Sequence, residues 1–97
     1  MYTQGQVLNT TQANQINKQF VKSATTREWC GDDVYNDNAK VKRGNLVMIN
    51  AAKYDETPVF KVVKVTSVKN AGSDYSVIRV ADNEYSWRVS DSSFVRI

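Results

Sequence analysis

The chain has 97 residues, a formal net charge of +3, one cysteine and no histidine. That length suits one domain around one apolar core, residues 1–97, and a lone cysteine closes no internal disulfide, so a reducing cytoplasm is the expected setting. The lack of histidine removes the side chain that most often serves as general base, proton shuttle and zinc ligand, and with it most hydrolytic mechanisms.

The first residues, "MYTQGQVLNTTQ", hold no charged stretch followed by an apolar run, so secretion is not indicated. No apolar run is long enough to span a bilayer, and no membrane association is expected. In "LNTTQANQINKQFVKSA", Ala13, Ile16, Phe20 and Ala24 recur at steps of three and four, which predicts a helix over residues 10–24. Asn9 reads as its N-cap, with Gln12 completing a capping box and Leu8 stapling Ala13. The apolar stripe is narrow, so the helix must dock on something. Thr25 with Glu28 reads as a second cap for a short turn ended by Gly31, with Trp29 plugging the core.

"REWCGDDVYND" raises redox and metal chemistry and supports neither. Asp33 stands where a resolving thiol for Cys30 would be, and Asp32 and Asp33 both oppose a thiolate by like-charge repulsion. A calcium loop fails because Val34 or Tyr35 falls on the third ligand position. The four glycines are isolated and no serine sits in a nucleophile elbow, so the expectation is a protein that is not an enzyme, with no cofactor and no metal.

Beyond Lys40 the period changes to two. "NLVMIN", "PVFKVVKVTSV", "YSVIRV", "YSWRV" and "FVRI" read as five strands, joined by "NAGSD", "ADNE" and "SDSS" turns. Val59, Lys61, Val63 and Val65 share one parity in the second strand while Phe60, Val62, Lys64 and Val68 share the other, which predicts a bulge or bend near Val62–Lys64. Charge is uneven too: residues 1–39 carry three cations against four acids (3 − 4 = −1), and residues 40–97 carry ten against six (10 − 6 = +4).

This order, with Gly44 before the first strand, a bent second strand, Asp82 in the hairpin and "SDSSFV" entering the last strand, looks like the SH3-like barrels that include Tudor and KOW domains. The resemblance covers residues 41–97 and implies an α+β protein, a helical N-terminal part (1–39) packed on a five-stranded antiparallel SH3-like β-barrel (40–97). Tudor domains carry an aromatic cage residue just after the hairpin Asp, where Asn83 stands here.

Aromatics interleaved with cations suit unpaired bases and phosphates. The candidates are Lys61, Arg79, Tyr85, Trp87 and Arg88 on neighbouring strands, with Lys53 and Tyr54 at the tip of the longest loop. The competing reading makes Tyr75 and Trp87 core or rim packing, with the arginines outward by strand alternation. Two function classes survive. One is a nucleic-acid binder for RNA or DNA backbone; the other is a protein-binding adaptor or inhibitor acting on a larger protein. The short length and Asn/Gln/Lys/Asp-rich make-up also resemble small phage accessory proteins, for which the setting would be the host cytoplasm.

Overall fold

The computed structural model describes residues 1–29, 31, 34, 38, 40–53, 55–70, 76–81, 86–88 and 94–97; for Asn70, Ser76 and residues 86–88 the description is of the backbone. Strand β1 (Val7–Leu8) leads into helix α1 (Thr10–Thr26), and β2 (Leu46–Asn50), β3 (Phe60–Asn70), β4 (Ser76–Val80), β5 (Ser86–Arg88) and β6 (Phe94–Arg96) follow. Their order is β5-β4-β3-β2-β6, with β1 also on β3, and every ladder is antiparallel. The protein is α+β: one N-terminal helix on an antiparallel sheet. Among the described residues no ladder joins β5 to β6, so the expected closure into a barrel is not part of this architecture as described.

Helix α1 starts as its sequence requires. Asn9 Oδ1 accepts from the Gln12 N–H at 2.8 Å, and the Asn9 N–H donates to Gln12 Oε1 at 3.0 Å, so two of the orphan donors at this helix start satisfy each other's residues. Leu8 and Ala13 are buried in one cluster, as a staple would have it. The helix is nevertheless two segments. Asn17 is extended, with φ −161° and ψ 105°, and its Oδ1 accepts from the Phe20 N–H at 3.0 Å, the geometry of a second N-cap. The re-phased second segment buries Phe20, Val21 and Ser23, while Ile16 and Ala24 pack half-buried at the margin.

Two expectations near the helix end are corrected. Thr25 is no N-cap: its hydroxyl donates back to the Val21 carbonyl at 3.0 Å, and α1 runs on to a left-handed C-cap at Arg27, φ 62°. Trp29 does not plug the core, because it is 60% exposed just past that cap.

Strand β3 organises everything else. On one edge it pairs with β2; on the other it pairs first with β1 and then with β4. Val62 exchanges backbone bonds with Gly5 and Gln6, and the Lys64 carbonyl accepts from Ala81, so β1 and β4 share an edge end to end. The Gln4 side-chain amide oxygen accepts from the Lys64 N–H between them and keeps that ladder position satisfied.

The middle of the sheet is buried on both faces. On the helix side Met48, Phe60, Val62 and Val95 meet Leu8, Ala13, Phe20 and Val21. On the far side Val47, Ile49, Val63, Val65, Ile78, Val80 and Phe94 form a second cluster with Val41. This explains the mixed parity of "FKVVKV": a strand covered on both sides needs no alternation. The register shift falls later than expected, between Val65 and Ser67, and leaves Thr66 as the extra residue.

Candidate nucleic-acid interface

The loop of residues 51–59 is built from its own polar groups. Asn50 Oδ1 accepts from the Ala52 and Val59 N–H groups at 3.0 and 3.1 Å, which draws the two loop ends together. Within it the Lys53 N–H meets Glu56 Oε2 at 3.3 Å and the Glu56 N–H meets the Lys53 carbonyl at 3.1 Å, with Asp55 at φ 69° between them. Arg27 Nη2 reaches the carbonyls of Lys53 and Glu56, each at 3.4 Å, and ties the loop to the end of α1. Lys53 is exposed on this turn. Tyr54, its proposed companion, lies outside the described residues.

The ladder sorts the other candidates by parity. Lys61 lies opposite Ile49, which belongs to the far-side cluster, and it is half-buried with an interaction of its own within the protein. Arg79 is exposed and lies opposite Ser67 on the helix side. In β5, Arg88 pairs with Val77 and Ser86 with Arg79, so Arg88 and Arg79 hold register positions of the same parity. Trp87 pairs with Ile78, the opposite parity and that of the far-side cluster. Tyr75 and Tyr85 lie outside the described residues, as do Cys30, Asp32 and Asp33. Thus the register groups Arg79 with Arg88 and separates both from Lys61 and from the position of Trp87.

Two further cations join that group, and sequence reasoning missed them. Lys64 shares the helix side with Phe60 and Val62 but lies beyond the part that α1 covers, and it is exposed. Lys69 would have the opposite parity on a regular strand. The extra residue at Thr66 reverses the alternation, so Lys69, opposite Val77, comes to the helix side and is exposed there. Among the described residues the remaining positions of this patch are Ser67, Val77, Ala81 and Ser86, none of them acidic.

Arg43 extends the patch toward β2. The "KRGN" turn closes through the Asn45 N–H to the Lys42 carbonyl at 3.0 Å and the Lys42 N–H to Asn45 Oδ1 at 2.8 Å, with Gly44 at the positive φ of 92° that its third position demands. Beside it opens a shallow cleft of about 410 Å³ lined by Arg43, Gly44, Lys64, Val65 and Thr66. Among the described residues no three His, Cys, Asp or Glu side chains gather as metal ligands, and no helix is long and apolar enough to cross a membrane. Comparison of the chain with protein-family models, with curated proteins and with solved structures finds no match.

Proposed function

We propose that this chain is a non-catalytic nucleic-acid-binding module of the cytoplasm that meets phosphates with the uncovered part of the helix-side sheet face. The observation that carries the reading is the register of β3, β4 and β5: it gathers Lys64, Lys69, Arg79 and the position of Arg88 on one parity, with no carboxylate among the described positions of that patch. Like charges diagonally opposed across strands repel one another, so the patch is a standing electrostatic cost that a polyanion relieves. A Gly-led first strand and a bent second strand support the SH3-like layout as part of the same proposal.

Fluorescence anisotropy with labelled oligonucleotides across a salt series tests it. Binding should be measurable at about 20 mM salt and weaken linearly on a log–log scale, by roughly 0.7–0.9 in slope for each phosphate engaged. Absence of binding at low salt sinks the reading. The alternative of a protein partner draws on Trp29, whose 60% exposure leaves a large aromatic on the surface beside the α1 C-cap; capture of a protein that survives nuclease treatment and is lost in W29A would promote it.

A further inference from the structure

We infer that the ligand is a single strand whose backbone crosses the sheet diagonally, from the Arg43/Lys64 cleft over Arg79 to the position of Arg88. This rests on the nucleic-acid reading and adds a path and a strandedness to it.

The path follows from the ladder. Lys64 on β3 stands level with Ala81, the residue after β4; one row on, Ser67 faces Arg79 and Arg79 faces Ser86; one row further, Val77 faces Arg88. Cations thus occupy β3 in the first row, β4 in the second and β5 in the third. Each step moves one strand across, about 4.8 Å, and two residues along, about 6.8 Å, so successive positions lie roughly 8 Å apart. Long, flexible Lys and Arg side chains bridge such steps to consecutive phosphates. Lys69 stands in the third row on β3 and falls off this line. At its start the line is doubled, because Arg43 and Lys64 flank one cleft and share one phosphate between them.

The strandedness follows from what stands beside the patch. Lys64 is the next helix-side position after Val62, which α1 buries together with Phe60 and Met48. A helix is about 10 Å across with its side chains, so α1 forms a wall at the foot of which Lys64 lies. A flexible single strand reaches the foot of such a wall, whereas a duplex lying as a stiff rod is held off by it. Counterion release from three phosphates of a single strand gives a slope of about −2.

Anisotropy titrations of oligo-dT and of a mixed-sequence duplex over 50–200 mM salt test the path on the intact chain. The wild type should lose about 18-fold in oligo-dT affinity across that range. R79Q and R88Q should each flatten the slope by about 0.7, leaving a loss of about 7-fold. R43Q and K64Q combined should flatten it by about 0.7, the worth of one phosphate, and not by twice that. K69Q and the helix variants K18Q and K22Q should leave the slope unchanged, and unfolding midpoints on the same samples check that each variant remains folded. If K69Q or the helix variants flatten the slope as much as R79Q, the patch binds diffusely and the track is wrong while nucleic-acid binding stands. Equal or tighter duplex binding overturns the single-strand assignment. No oligonucleotide binding at all overturns both the track and the function it rests on.

Discussion

Asn38 shows how much one buried amide can hold. It is fully buried, and its Nδ2 donates to the Phe94 carbonyl at 2.6 Å. The Ile97 N–H bonds to the Leu46 carbonyl, and the alternation of the β2–β6 ladder then turns the Phe94 carbonyl away from β2, off the outer edge of β6. Among the described residues β6 is an edge strand and Asn38 alone covers this outward acceptor, which also guards that edge against pairing. Its Oδ1 has no partner among the described residues, which makes the site sensitive to charge. N38A should cost about 1–3 kcal/mol by stranding the carbonyl. N38D should be worse at neutral pH, because a buried carboxylate would face a carbonyl oxygen. That carboxyl would be raised in the folded state above its unfolded value of about 3.9, so the variant should be most stable below pH ~4 and lose stability as pH rises. Urea unfolding midpoints at pH 3.5, 5 and 7 read the sign; a variant more stable at pH 7 than at pH 3.5, relative to wild type, contradicts this placement of Asn38.

At the scale of elements, Asn17 sets sequence propensity against structure. Within a regular helix, replacing Asn by Ala should stabilise by roughly half a kcal/mol. Here Asn17 is extended and caps Phe20, so N17A should instead destabilise by about 0.5–2 kcal/mol. Thermal unfolding decides between the two signs, and a raised Tm would mean that α1 is continuous. The first cap was legible because Asn9 precedes the apolar stripe and Gln12 stands at the reciprocal position. The second was not, since an Asn inside a run of good helix positions carries no mark that the chain leaves the helix there. The bulge was legible in kind and not in place. Doubled parity around Val62–Lys64 arises from burial on two faces, while the irregularity sits at Thr66, in a stretch whose polar residues give no parity to read. That displacement is why Lys69 was not grouped with Arg79. The five strands beyond Lys40 and the basic half were readable from composition and period; β1, only two residues long, was not, nor was membership of the cationic face, because it depends on a register that only the ladder fixes.

The whole molecule is one central strand with a core on either side, and this predicts a pattern of energetic coupling. Phe20 is buried against Phe60, edge to face with ring centroids 6.2 Å apart, and Val62 lies in the same cluster. Val63, the next residue, belongs wholly to the other. F20A should cost about 3–5 kcal/mol, as a large buried ring is lost and α1 loses its main anchor. V62A and V63A should each cost roughly 2–3 kcal/mol, since both side chains are fully buried and each loses two methyl groups and leaves a cavity. Cost alone therefore cannot tell the faces apart; coupling can. The F20A/V62A pair should deviate from additivity by at least about 0.5 kcal/mol, because both truncations open the same cavity, whereas F20A/V63A should add within about that margin across the intervening sheet. Denaturant unfolding of the five variants and the wild type supplies both cycles. Strong coupling of Phe20 to Val63, or tolerance of V62A, would mean that α1 does not seat on this face, and the wall that confines the cationic track to a single strand would go with it.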